Sequence, residues 1–139
     1  MPGSYIKLYY HIVWSTKHRY QGINSDIEAM LYDFIKSKIV AYGCKLHAIG
    51  GIEDHIHIVV EISPSINIAE FIGKIKGSSS HYLNKEISIT KDFKWQAGYA
   101  ALTISENNLF SIVNYVKKQK QHHLENNLNA SIEDFPLDD

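Results

Sequence analysis

The chain has 139 residues, 45% hydrophobic and 21% charged, which suits one ordinary globular domain with a real core. A single cysteine, Cys44, excludes an internal disulfide framework and fits a reducing compartment. The net charge of −1 does not announce a nucleic-acid binder, no apolar run is long enough to span a bilayer, and the N-terminal residues lack a signal peptide's apolar stretch. The expectation is a cytoplasmic protein.

Tyr5 to Thr16 is rich in β-branched and aromatic residues and predicts a first strand. Ser25-Asp-Ile-Glu28 reads as a capping box, followed by Ile27, Leu31, Phe34 and Ile35 at helical spacing, with Gly43 suited to the position just past the helix. Lys45 to Gly50 predicts a second strand and His55 to Ile62 a third, joined as a hairpin through Gly50-Gly51 and Glu53-Asp54. Pro64 ends that strand. Asn67 offers an N-cap for a helix through about Lys85, with Ile68, Phe71, Ile72 and Ile75 facing inward. Trp95 to Ile104 predicts a fourth strand, in which Gly98 hints at a bulge or close backbone approach. Thr103-Ile-Ser-Glu106 reads as the cap of a helix running to about His123.

The order β-α-β-β-α-β-α predicts an α+β fold. It is a ferredoxin-like split βαβ with an antiparallel sheet, two helices on one face and an extra C-terminal helix. One domain is expected over residues 1–125, followed by a polar tail over 126–139.

Basic residues gather at Lys17-His18-Arg19, at Lys74 and Lys76, and at Lys117, Lys118 and Lys120, while Glu133, Asp134, Asp138 and Asp139 load the tail. A locally basic face on a neutral protein can bind DNA, with affinity falling as salt rises. The plainer reading is that these lysines solvate helices. Trp14, Trp95 and Tyr99 pose a similar choice: aromatics can stack on unpaired bases, but strand aromatics commonly fill a core.

The most informative segment is Asp54-His-Ile-His-Ile-Val-Val60. Ile56, Ile58 and Val60 would face the helices and the core, which turns His55 and His57 together to the open side of the sheet. Such a pair can be merely solvated. It can also grip one metal ion from one side and leave the rest of its shell open, as a catalytic ion requires. Asp54 could accept a ring N–H and fix a tautomer. Downstream, Leu109, Ile112, Val113 and Val116 form an apolar helical stripe, with Tyr115 at its edge and Gln119 one turn further on. Tyr115 could fill a gap at the boundary. Alternatively, it is a presented phenol, with the Gln119 amide placed to help hold the ion. Two imidazoles, one amide oxygen and no thiolate suit Mg2+ or Mn2+. Together these residues suggest metal-assisted attack by a tyrosine on a nucleic-acid phosphate, through a phosphotyrosine intermediate.

These residues resemble the single-tyrosine transposases of the HUH superfamily, of the insertion sequence two-hundred type. Tyr10-His-Ile-Val-Trp-Ser-Thr-Lys-His-Arg19 looks like the family's opening strand and Asp54-His-Ile-His57 like its metal motif. Ile75-Lys-Gly-Ser-Ser79, Trp95-Gln-Ala-Gly-Tyr99 and Tyr115-x-x-x-Gln119-x-x-x-His123 follow in the family's order. Each motif alone is common; five in sequence are specific. The resemblance implies His55, His57 and Gln119 as metal ligands and Tyr115 as the nucleophile, forming a 5′-phosphotyrosine and freeing a 3′-hydroxyl. It further implies a homodimer that cuts and rejoins single-stranded DNA at element ends marked by hairpins. Lys17, Arg19, Lys74, Lys76 and Lys118 are the candidate DNA contacts.

Two other readings compete. One is a sheet that binds RNA or DNA hairpins without chemistry, against which stands the presence of histidines where exposed aromatics would be expected. The other is a nucleotide hydrolase of the histidine-triad kind, but Val59 occupies the next alternate position, which breaks that triad.

Overall fold

Runs of β-branched and aromatic residues pair into a four-stranded antiparallel sheet. The computed structural model describes residues 3–89 and 92–124, with side chains to residue 121. The elements run β1 (Tyr9–Ser15), α1 (Ser25–Ala41), β2 (Lys45–Ile52), β3 (His55–Glu61), α2 (Ile68–His81), β4 (Ala100–Ile104), α3 (Leu109–Lys117) and α4 (Gln119–Leu124). The spatial order is β2-β3-β1-β4, so β3 slots between β1 and β2 as the split βαβ topology requires. The expected tail over 126–139 lies outside the described residues. Among the described residues no helix is long and apolar enough to cross a membrane.

The period of two along the central strands divides the molecule into two layers. Ile12 and Trp14 of β1 and Ile56, Ile58 and Val60 of β3 pack against Ile27, Leu31, Ile35 and Ile39 of α1 and Phe71, Ile72 and Ile75 of α2. On the opposite face a smaller cluster joins Ala48, Val59 and Val116, with Leu109, Ile112, Val113 and Tyr115 packed around it. The central strand β3 is therefore covered on both sides, with α3 as the second lid.

Local signals explain most boundaries, and several differ from the sequence expectation: β1 begins at Tyr9 rather than Tyr5, for example. Asn24, not Ser25, caps α1: its side chain accepts from the N–H groups of Asp26 and Ile27, and Ser25 becomes the first helical residue. Gly43 ends that helix at φ 75°, a conformation that suits glycine. Gly50 and Gly51 are not in the hairpin turn but inside β2, paired with His57 and Ile56; the turn is Glu53-Asp54 alone.

The fourth strand begins at Ala100 rather than Trp95. Trp95 makes an isolated bridge to Thr16, the Gln96 N–H still donates to the Ser15 carbonyl at 3.0 Å, and the chain then leaves the ladder until Ala100. The cause is Lys76 of α2, whose ammonium donates to the carbonyls of Gln96 (2.7 Å), Ala97 (3.2 Å) and Gly98 (3.0 Å). Burial pushes the Lys76 pKa down to about 8, and these three acceptors stand in for the water it has lost.

The last helix is also not one piece. Thr103 belongs to β4, so it caps nothing, and Ser105 precedes a short 3-10 turn at Glu106–Asn108. α3 then runs to Lys117, the backbone breaks at Lys118 (φ −105°, ψ 26°), and α4 starts at Gln119.

Lys76→Met removes the shared donor and leaves three carbonyls to compete for water. Stability should fall by about 1–3 kcal/mol in urea unfolding. Lys74→Met, on the exposed side of the same helix, should stay within about 0.5 kcal/mol of the parent. Equal effects would show that Lys76 does not hold the 96–98 segment.

Candidate active site

β3 presents His55 and His57 to the α3 side, as the alternation predicts, but the face is not open. His57 is 0% and His55 3% exposed, beneath the lid formed by α3 and α4. The two rings sit with centroids 5.0 Å apart at 65°. Each is held from behind through Nδ1. The Asp54 carboxylate, in the hairpin turn, lies 2.8 Å from His55 Nδ1. His11 Nε2, on the neighbouring β1, lies 2.8 Å from His57 Nδ1. With both Nδ1 atoms engaged, Nε2 is the nitrogen each ring would offer to a ligand.

Tyr115 comes down from α3 beside the pair. Its ring meets that of His57 edge-on, centroids 6.1 Å apart at 76°. Gln119, first residue of α4, is 1% exposed, and its side-chain N–H points back at the Tyr115 carbonyl at 3.5 Å. The i, i+4 spacing thus brings the two residues together, although a helix break separates them.

Gly50 sets how closely this tyrosine-bearing segment approaches the sheet. A Cβ at Gly50, which pairs with His57 across β2 and β3, would stand 2.1 Å from the Val116 carbonyl oxygen. Lys120 fastens the far end. Its ammonium reaches both oxygens of Glu28 on α1 (2.6 and 2.7 Å) and, at 3.4 Å, the Gly51 carbonyl.

The residues fit a hard divalent cation. Among the described residues no group of three or more His, Cys, Asp or Glu is placed to hold a metal. Besides the two imidazoles, the buried Gln119 side chain, next to Tyr115, carries an amide oxygen that such a cation accepts as a ligand. Two imidazoles and an amide oxygen leave positions for water or phosphate oxygens. Cys44 offers no competing nucleophile: it lies in the main core, and burial raises its thiol pKa.

The basic candidates scatter. Lys17 and Arg19 sit exposed in the turn after β1, where His18 and Arg19 adopt positive φ (56° and 54°). Lys17 and Lys76 line one groove of about 560 Å³ between α2 and the 92–99 segment, with Lys94, Trp95 and Tyr99. Neither histidine nor Tyr115 lines that groove. Lys74 is exposed and pairs with Glu70 at 3.1 Å, Lys118 lies at the helix break, and Lys76 is committed to its carbonyls. Of the aromatics, Trp14 is core and Trp95 is half-buried with its N–H on Ser79 Oγ at 2.9 Å; Tyr99 is the exposed one. Sequence reasoning assigned no role of its own to His11 and placed Gly50 in the hairpin turn. Alternation from His55 and His57 marks the face but not which β1 residue meets them, because that depends on register.

The split βαβ sheet thus carries a buried strand His-x-His pair beneath a helix tyrosine. A family model described as "Transposase IS200 like" matches residues 4–119, and the chain belongs to that family. It is 25% identical over 122 residues to the ISDra2 transposase TnpA of Deinococcus radiodurans, covering 84% of this chain and 87% of the relative. It is 28% identical over 116 residues to the transposase for insertion sequence element IS200 of Salmonella typhimurium, covering 79% and 75%. A crystal structure assigned as a transposase from Deinococcus radiodurans superposes with a TM-score of 0.66 at 26% identity, covering 86% of this chain and 95% of that one. The structure of a REP-associated tyrosine transposase bound to a REP hairpin shares the fold, with a TM-score of 0.65 at 15% identity and coverage of 99% and 79%.

Gly50→Ala forces the backbone of β2 or of the α3–α4 segment to move. Stability should drop by about 1–3 kcal/mol, and amide resonances of residues 112–120 should shift while those of α1 and α2 hold still. Shifts confined to β2 would show that the tyrosine segment does not rest on Gly50.

Proposed function

We propose that the protein cuts and rejoins single-stranded DNA at the ends of an insertion sequence, with Tyr115 as nucleophile. The observation that carries this reading is Tyr115 packed edge-on against His57, in a buried histidine pair whose Nδ1 atoms are both engaged. A purely structural tyrosine needs no such neighbours.

His55, His57 and Gln119 would hold Mg2+ or Mn2+, which supplies charge stabilisation at the reacting phosphate. Tyr115 Oη attacks phosphorus in line, forming a tyrosyl–phosphate bond as the bond from phosphorus to the 3′ oxygen breaks. The phenol proton leaves to solvent, and the departing 3′ oxygen takes one up. The product is a 5′-phosphotyrosine and a free 3′-hydroxyl. In the return step a 3′-hydroxyl attacks the same phosphorus, seals the strand and restores the phenol. Asp54 fixes His55 through its Nδ1. Lys17, Arg19, Lys74 and Lys118 supply exposed positive charge for the DNA backbone, and Tyr99 an exposed ring for an unpaired base. Lys76 serves this surface by shaping the 96–98 segment beneath it. The hairpin-bound neighbour supports hairpin-marked ends as the target. A homodimer fits the exposed Leu102 on edge strand β4 and Phe110 at the start of α3.

Oligonucleotides tiling the DNA around the gene, labelled 3′ to any cut, would be incubated with protein and Mn2+ and run on a denaturing gel. A slow covalent band should form, vanish entirely in Tyr115→Phe and vanish with EDTA. His57→Ala should lose the band and keep hairpin affinity. Tight hairpin binding by the parent with no band under any condition would favour a binding module over a nuclease.

A further inference from the structure

We infer that His11 is a positioning residue for His57: it holds that imidazole in the tautomer and orientation that turn Nε2 toward a metal. The inference rests on the metal reading of His55 and His57 above.

His11 and His57 are both buried, at 1% and 0% exposure. Their rings stack with centroids 5.0 Å apart and planes 25° from parallel, and the Nε2···Nδ1 separation is 2.8 Å. A contact this short between two imidazole nitrogens needs one donor and one acceptor. Two arrangements exist for neutral rings. If His11 Nε2–H donates, His57 Nδ1 is the acceptor and the His57 proton sits on Nε2, which blocks ligation there. If His57 Nδ1–H donates, His11 Nε2 accepts and His57 Nε2 presents its lone pair. Only the second arrangement serves a metal at Nε2.

The same logic runs on the neighbouring ring with different chemistry. His55 Nδ1 faces the Asp54 carboxylate, an acceptor that forces the same tautomer. Asp54 lies next to His55 in the chain, within the hairpin turn. His57 sits deeper in the sheet, where β1 supplies the partner by cross-strand register. Val13 is directly opposite His57, and His11 lies diagonally across, one same-face step along β1. A carboxylate at that depth would bring an extra charge into a dry site, whereas a neutral imidazole accepts at lower desolvation cost.

Two measurements test this on the full chain. The first needs no substitution: long-range proton–nitrogen correlation spectra of the metal-free protein report ring tautomers. His57 should show a protonated Nδ1 and an unprotonated Nε2, with His11 Nε2 unprotonated. The opposite pattern at His57 overturns the inference. The second is Mn2+ binding followed by electron paramagnetic resonance of the free ion. His11→Leu should weaken binding about 10–100-fold, and His11→Gln, whose amide oxygen can accept from Nδ1–H, should recover most of it. Mn2+ affinity in a folded His11→Leu protein equal to the parent's overturns the role of His11 while leaving His57 as a ligand. Parental affinity retained in His57→Ala would overturn the metal reading itself, and this inference with it.

Discussion

Strand β3 is buried on both faces from His55 to Val60, and the rest of the molecule is arranged around that fact. Its odd-even alternation sends Ile56, Ile58 and Val60 into the α1–α2 core and His55, His57 and Val59 under α3. A one-residue slip would bury two imidazoles in an aliphatic core and put isoleucines at the site, so the register carries a large penalty against error. The same burial explains why both histidines need partners for Nδ1. In a dry site each polar ring nitrogen must find a partner, and the partners found, Asp54 and His11, also orient the rings. Packing and chemistry are thus set by one strand.

The second lid is lighter than the first. α3 contributes one fully buried side chain, Val116, and its approach depends on Gly50 having no side chain. The close contact is backbone to backbone, which brings the segment within reach of His57 without a thick layer of intervening side chains. Lys120 then fastens the segment to α1 through Glu28, an exposed pair of the kind worth only a fraction of a kcal/mol. The tyrosine segment is therefore positioned mainly by shape at Gly50 and by the small Ala48–Val59–Val116 cluster.

What the sequence revealed follows from the range of the interactions involved. Period-two alternation in β3, the N-cap at Asn67 and the glycine at 43 are local, and each was legible. The facing of His55 and His57 was legible for the same reason. One misread element is local: Ser25-Asp-Ile-Glu28 looks like a capping box, yet Asn24 one residue earlier takes the cap. The others involve a distant partner. The 95–104 run has strand composition throughout, yet Lys76, about 20 residues away in sequence, draws off the carbonyls of 96–98. His11 stands in a strand some 46 residues before His57, and only the β1–β3 register brings their rings together. Composition also misled about charge: the lysines look like one resource, but Lys76 is buried and committed while Lys17, Lys74 and Lys118 stay at the surface.

The break at Lys118 bears on how Tyr115 and Gln119 work as a unit. In a continuous helix, residues four apart share a face and their side chains point the same way from one rigid rod. Here Tyr115 belongs to α3 and Gln119 to α4, with a non-helical residue between them. The phenol and the amide are consequently set by two backbones, each fixed by its own contacts. α3 is seated by Val116 against Val59 and Ala48, and α4 by Lys120 against Glu28 and the Gly51 carbonyl. The Tyr115 carbonyl, released from regular helical pairing near the break, accepts from both the Lys118 N–H and the Gln119 side chain. That pairing ties the amide to the residue beside which it must act. A spacing that reads as one helical turn in the sequence is in the structure a joint between two short helices.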